Sequence, residues 1–180
     1  MSKRRIFVAL PIEKKLQDEI LAWEEQFTKL SVRWLTGKNL HVTLVPPWYT
    51  EDVEEVCEKL TTCEGSIDEC DIAFTRVSYG ATPREPRLIL TEGETPLQLT
   101  ALKQRIENAL AAEPEKRSYK LHLTLARFRP ETFPSFPIQK LDEHVAWHQA
   151  CTRFVLMESH LSRSGADYEI LTSFSRALRS

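Results

Sequence analysis

Two pentapeptides carry side chains that could do chemistry together: Leu40-His41-Val42-Thr43-Leu44 and Leu121-His122-Leu123-Thr124-Leu125. In an extended strand successive side chains point to opposite faces, so His41 and Thr43 share one face while Leu40, Val42 and Leu44 share the other. His122 and Thr124 repeat the arrangement. A single strand histidine is normally a hydrogen-bonded structural residue. Packing alone does not demand two such strands with the same flanking leucines and the same threonine offset. Histidine titrates near pH 6.5, so one imidazole of a pair can act as base while the other acts as acid near neutral pH. In-line displacement at phosphorus uses such a pair, one group on each side of the phosphorus atom. The hydroxyls of Thr43 and Thr124 can donate hydrogen bonds to the non-bridging oxygens as charge builds there. This chemistry requires no metal, and acid–base catalysis of this kind contributes roughly 10² to 10⁴ in rate.

The elements that must position these strands come in a repeated order. RIFVALP (5 to 11) predicts a buried strand closed by a breaker, and Leu16, Ile20, Trp23, Phe27 and Leu30 predict an amphipathic helix after it. A turn in SVRWLTGKN leads to LHVTLV, whose alternation predicts a strand stopped by Pro46 and Pro47. EDVEEVCEKL reads as a second helix, and SIDECDIAFTRVSYG as one or two strands. The order then returns: RLILTEG (87 to 93) as a strand, Leu99, Leu102, Ile106 and Leu110 as a helix stripe, and YKLHLTLARF as the second histidine strand. LDEHVAWHQA reads as a helix, and CTRFVLMESHL and DYEILTSFSRAL as closing strands. The opening strands sit at 6 and 88 and the histidines at 41 and 122, offsets of 82 and 81. These landmarks predict one bilobal α+β domain over 1–180, with half-repeats of about 1–80 and 81–180. Approximate twofold symmetry would set the two imidazoles across a central groove.

Composition narrows the functional classes. The 180 residues are 42% hydrophobic, which excludes disorder as a default. Lys and Arg total 24 against 26 Asp and Glu, a net charge of -2, so the chain has no global field for a long polyanion and must grip a nucleic acid locally. The N-terminal apolar run is too short for a signal peptide, and no stretch approaches the roughly 18 apolar residues of a membrane helix. Cys57, Cys63, Cys70 and Cys151 lack the spacing of a zinc knuckle or a redox pair. A reduced, cytoplasmic protein is expected. His144 and His148 lie four apart on the predicted helix, but without the glutamate of HExxH and without a third ligand they do not make a zinc site. His160 reads as a surface or turn residue.

The paired HVTL and HLTL motifs resemble the signature of the 2H phosphoesterases, in particular the branch of RNA 2′,3′-cyclic phosphodiesterases or 2′-5′ RNA ligases. RRIFVALPI, VRWLTGKNLHVTL, SYKLHLTLARF and VLMESHLSRSGADYEIL extend the resemblance over nearly the whole chain. It implies two antiparallel sheets around a central groove with helices on the outer faces, and no cofactor. The implied reaction opens a terminal 2′,3′-cyclic phosphate to a 2′-phosphate, with reversible 2′-5′ joining in some members. By position, His41 would protonate the departing 3′ oxygen, His122 would activate water, and Thr43 and Thr124 would hold the phosphoryl oxygens. A near-symmetric pair could also run with the roles exchanged, releasing a 3′-phosphate. The partners implied are RNA ends or nucleotides with a 2′,3′-cyclic phosphate, met by a monomer away from membranes. The VPPWYT segment (45 to 50) departs from relatives that read closer to LKFLG there.

Arg127 lies three residues past Thr124, an odd offset that turns it away from the groove in an ideal strand. A bulge or the strand end would have to aim it back, as a phosphate ligand. Arg33, Lys38, Lys116, Arg117, Lys120 and Arg129 could form a basic rim for an RNA tail. Trp34, Trp48, Tyr49 and Phe128 flank the motifs and could stack a base or fill the core. Two other activities use the same residues: cleavage of 2′-5′ oligoadenylate or another small cyclic phosphodiester, and RNA-end binding without turnover.

Overall fold

The computed structural model describes residues 2–65, 67, 70–82, 84–113, 115–163 and 165–175. RRIFVALP forms strand β1 (Arg4–Pro11). Its Ile6, Val8 and Leu10 enter the main core, and its Phe7 and Ala9 enter a second apolar cluster with Val155 and Met157 on the opposite face. Burial on both faces explains the unbroken apolar run. Helix α1 (Lys14–Glu24) continues as a 3-10 turn to Phe27, and the expected stripe of Leu16, Ile20, Phe27 and Leu30 is buried. Next come β2 (Arg33–Trp34), β3 (His41–Thr50) and α2 (Val53–Thr61). The Asp52 carboxylate caps α2 by accepting from the Glu55 N–H at 2.8 Å. Strands β4 (Asp71–Ala81) and β5 (Pro86–Glu92), helix α3 (Leu97–Leu110), and strands β6 (His122–Arg127), β7 (Asp142–Ala150), β8 (Arg153–Ser162) and β9 (Gly165–Ser175) follow. Ser66, Asp68, Glu69 and residues 176–178, which fall in predicted strand segments, lie outside the described residues.

All pairings are antiparallel, in one sheet of order β3-β1-β8-β9 and a second of order β2-β6-β5-β4-β7. The α+β architecture of two antiparallel sheets is as expected. Each sheet takes strands from both parts of the sequence. In each, a histidine strand neighbours its own opening strand, which in turn neighbours a strand from the other part: β3-β1-β8 in one, β6-β5-β4 in the other. The apolar stripes of all three helices join the main core, so the helices cover the core faces of the sheets. Among the described residues no helix is long and apolar enough to cross a membrane.

Two expectations are corrected. Pro46 and Pro47 do not stop the first histidine strand, because β3 runs to Thr50. β3 is an edge strand, so a missing N–H costs no ladder bond on its open side. The register moves from Ile6↔Trp48 to Val8↔Val45, a bulge that takes up the proline pair. LDEHVAWHQA is strand β7, not a helix. Trp147 is buried and Val145 and Gln149 are partly buried, alternating with exposed neighbours, and pairing with β4 selects that period over the four-residue histidine spacing. The Gln149 amide locks β7 onto the end of β1, donating to the Pro11 carbonyl at 3.0 Å and accepting from the Glu13 N–H at 2.9 Å.

At the end of α1, Glu24 is buried with Oε1 lacking a hydrogen-bond partner among the described residues, and burial pushes its carboxyl up to about 8. The unfolded chain releases this proton from the ordinary glutamate range upward, while the fold holds it to about 8. The stability present below the ordinary range is therefore lost as pH rises through that window. Glu24→Leu is expected to stabilise the protein more at pH 8 than at pH 5, by roughly 1–3 kcal/mol, the usual cost of an unpaired buried polar group. Denaturant melts at the two pH values measure the difference, and an equal gain at both would contradict it.

Candidate functional site

The two histidine strands share one local design. Their first five residues show the same burial order, partly exposed histidine and threonine alternating with buried Val42 and Leu44 or Leu123 and Leu125, then buried Val45 or Ala126. Two consecutive inward residues mark a bulge in each. In β3 the register steps from Ala9↔Thr43 to Val8↔Val45, and in β6 from Leu90↔Thr124 to Ile89↔Ala126. The extra residue, Leu44 or Leu125, reverses the parity of everything that follows. Arg127 consequently stands opposite Leu88 on the face that also carries Leu90, Glu92, His122 and Thr124. The bulge that its odd offset called for is present. The matching position in the first motif, five residues beyond the histidine, is Pro46, so the arginine at this offset is not repeated.

Each imidazole is held in the same way. His41 Nδ1 lies 2.7 Å from the Asn39 carbonyl oxygen, and His122 Nδ1 lies 2.9 Å from the Lys120 carbonyl oxygen. A carbonyl only accepts, so Nδ1 carries the proton in both rings and Nε2 is left with the lone pair. His41 also sits in an aromatic cage, its ring 4.9 Å from Phe7 and 5.0 Å from Tyr168. The Asn39 amide oxygen accepts the Tyr168 N–H at 3.1 Å, so one residue orients the histidine and holds the cage. Burial, with the charges of Arg127 and His122 acting in the same direction, lowers His41 to about 4.

The seam that brings the motifs together uses the open edge of β3. The Tyr119 hydroxyl donates to the Thr43 carbonyl at 3.0 Å, and Lys103 Nζ donates to the Leu44 carbonyl at 2.9 Å. Lys103 is buried on α3, paired with Glu107 at 2.5 Å and Glu115 at 3.1 Å, with its ammonium 5.3 Å from the Tyr119 ring centroid. Beside this seam, Thr43 of the first motif and His122 of the second line one cleft of about 770 Å³ with Leu88, Leu90 and Tyr119. That volume suits a nucleotide-sized ligand.

The other singled-out residues separate by place. Arg117 and Lys120 line the same cleft. Arg33, Phe128 and Arg129 join Arg127 around a different depression. Lys38 is paired with Asp167 at 2.8 Å, and Lys116 is exposed outside both. Trp34 packs edge-on to Trp23 and Phe128 against Phe136, whereas Tyr49 is exposed and Trp48 lines an apolar recess under α2. His144 and His148 are exposed on β7, and His160 Nε2 lies 3.1 Å from Glu169. Among the described residues the four cysteines form no disulfide, although the fold brings Cys151 beside Cys70, N–H to carbonyl 2.8 Å. Sequence reasoning missed Phe7, Asn39, Lys103, Tyr119 and Tyr168. Asn39, two residues before His41, and the repeated carbonyl at that offset were the available signal.

A family model described as the 2′-5′ RNA ligase superfamily matches residues 12–163. E. coli LigT in complex with 3′-AMP superposes with a TM-score of 0.72 at 22% identity, over 98% of this chain and 99% of that one. TT0787 of Thermus thermophilus superposes with a TM-score of 0.71 at 18% identity, over 97% of this chain and 100% of that one. Comparison with curated protein sequences finds no match.

The cage makes a prediction about protonation. NMR titration of His41 is expected to report a value of about 4. Tyr168→Ala admits water to one face of the ring and should raise it toward the ordinary histidine range near 6.5. A wild-type His41 that titrates at the ordinary value would remove burial as the dominant influence.

Proposed function

Because the chain belongs to the 2′-5′ RNA ligase superfamily, we propose that it hydrolyses 2′,3′-cyclic phosphodiester RNA ends to 2′-phosphomonoesters, with His41 and His122 as its acid–base pair. The carrying observation is the matched pair of bulged strands, each fixing Nδ1 on a carbonyl two residues back and each contributing to one cleft. In this reading water attacks phosphorus and gives its proton to His122 Nε2. The bond from phosphorus to the 3′ oxygen breaks, and His41 Nε2 delivers a proton to that oxygen. A 5′-hydroxyl in place of water would yield a 2′-5′ linkage by the same displacement.

Thr43 and Thr124, one beside each imidazole, donate to the non-bridging oxygens, and Arg127 offsets the charge that builds on them. Burial disfavours a charged His41 in the empty groove. An anionic phosphate facing Nε2 counters this, so substrate itself supplies the charge that lets His41 hold the proton it must give. A weakly basic imidazole is then a strong acid toward a departing alkoxide. E. coli LigT has been crystallised with 3′-AMP, ATP and NADP+, which supports a nucleotide-sized ligand. The proposed partners are RNA ends or nucleotides bearing the cyclic phosphate, handled in the cytoplasm by a single copy, since one chain contributes every group named.

The test is turnover of a nucleoside 2′,3′-cyclic phosphate in EDTA, with product regiochemistry read by chromatography. The expected product is the 2′-phosphate, and His41→Ala and His122→Ala should each cost roughly 10² to 10⁴ in kcat. Release of the 3′-phosphate would exchange the two roles. Binding without turnover would leave a binding module instead, and full activity in either alanine variant would end the acid–base reading.

The pH profile is a separate check. Below the lower apparent value of the pair both rings are charged and no base is left. The rising limb of kcat/KM, which reports the free enzyme, is therefore expected near pH 4, where burial puts His41. A rising limb near the ordinary histidine value would contradict it.

A further inference from the structure

Cys70 and Cys151 stand far apart in the sequence, yet strand pairing makes them neighbours. The antiparallel register of β4 and β7 matches Ile72 with Gln149 and Asp71 with Ala150, and its next step sets Cys70 opposite Cys151. The Cys151 N–H donates to the Cys70 carbonyl at 2.8 Å, so the register continues to this pair. Residues directly opposite each other in an antiparallel pair put their side chains on the same face, with Cα atoms about 5.5 Å apart where they are hydrogen-bonded. That separation falls within the range of about 4.4–6.8 Å that a disulfide spans. The two thiols are in hydrogen-bond contact, and this contact, together with burial, pushes the Cys151 thiol up.

The pair is also reachable from solvent. Cys70 is half-buried and Cys151 buried, and both line a recess of about 440 Å³ with Pro96 and Gln98 at the start of α3. The start of a helix carries partial positive charge, which favours a thiolate nearby. The other two cysteines are placed differently. Cys57 Sγ lies 3.4 Å from Thr172 Oγ1, and Cys63 Sγ donates to the Arg105 carbonyl at 3.7 Å. Among the described residues lining the recess, neither of them appears.

We infer that Cys70 and Cys151 form a reversible disulfide site, closed by a low-molecular-weight disulfide such as oxidised glutathione and reopened by a dithiol. In the first step the Cys70 thiolate attacks one sulfur of the oxidant, forming a mixed disulfide and expelling one glutathione thiolate. Cys151 then attacks the Cys70 sulfur, breaking the mixed disulfide and expelling the second. The protons lost by the two cysteines go to the two departing thiolates, so one protein disulfide forms as one glutathione disulfide is reduced to two thiols. The order follows from the surroundings: the half-buried Cys70 meets the oxidant, while Cys151 keeps its proton. Once Cys70 carries the adduct, its thiolate no longer opposes ionisation of Cys151. The bond would close a loop over residues 71–150, which holds α3, Lys103, Tyr119 and the second histidine strand. Closing that loop restricts the unfolded chain, so the oxidised protein should resist unfolding. The site is separate from the histidine cleft and does not depend on the acid–base reading.

The test incubates the full chain with oxidised glutathione and reads intact mass, linked peptides and melting temperature. The wild type is expected to lose the mass of two hydrogen atoms and to yield a linked peptide pair containing Cys70 and Cys151. It should melt roughly 5–10 °C higher than the same protein kept in dithiothreitol. Dithiothreitol added afterwards should reverse both changes. C70S and C151S should each abolish the mass loss and the melting shift, whereas C57S should keep them. Cys151 is buried, so if C151S folds poorly, C70S and the peptide map of the wild type still decide. A glutathione adduct that persists on Cys70, a bond that involves Cys57 or Cys63, or a wild type that retains all four thiols overturns the site. An unchanged melting temperature in the linked protein would overturn its stabilising role.

Discussion

The molecule depends on how the open edge of β3 is closed. An edge strand leaves carbonyls without ladder partners, and two of them, at Thr43 and Leu44, lie inside the protein beside the cleft. Tyr119 and Lys103 satisfy them from the other part of the sequence. A buried ammonium is costly unless its charge is matched, and Glu107 and Glu115 match it. The coupling runs in both directions: the lysine makes the seam possible, and the seam supplies the third partner of the lysine. Both histidine strands are thereby held against one cleft.

Within that frame, near-symmetry and its breaking have different origins. The strand bulge and the Nδ1 contact to a carbonyl two residues back are repeated, so both rings present Nε2 in the same tautomer. The environments are not repeated. His41 lies between Phe7 and Tyr168 and is influenced by Arg127, whereas the position matching Arg127 beyond His41 is Pro46. Burial and the nearby Arg127 set the surroundings of His41 apart from those of its counterpart.

The features that could be read in the sequence are those set by local period. Alternation in the two histidine strands correctly put histidine and threonine on one face and leucine and valine on the other, and α1 and α3 follow their apolar stripes. The failures occur where a long-range partner decides. β7 carries both a four-residue histidine spacing and a two-residue apolar alternation, and only its pairing with β4 selects between them. Pro46 and Pro47 end a strand in most contexts, but not where the open edge asks nothing of their missing N–H groups. The histidine strands themselves were legible, but the cage was not. Phe7 reads as another core residue of β1, and Tyr168 reaches His41 only because the hairpin of β8 and β9 folds back across the sheet.

The exchange of strands between the two parts of the chain also bears on how the protein is made. β1 precedes every other strand in sequence order, yet it lies between β3 and β8, and β8 begins at Arg153. Its apolar side chains on both faces must wait for β8, far along in sequence, before that sheet can close. Pairing between such distant segments slows folding and prolongs the exposure of sticky strands. Translation speed and chaperone occupancy during that interval should therefore govern yield more strongly than the final stability does.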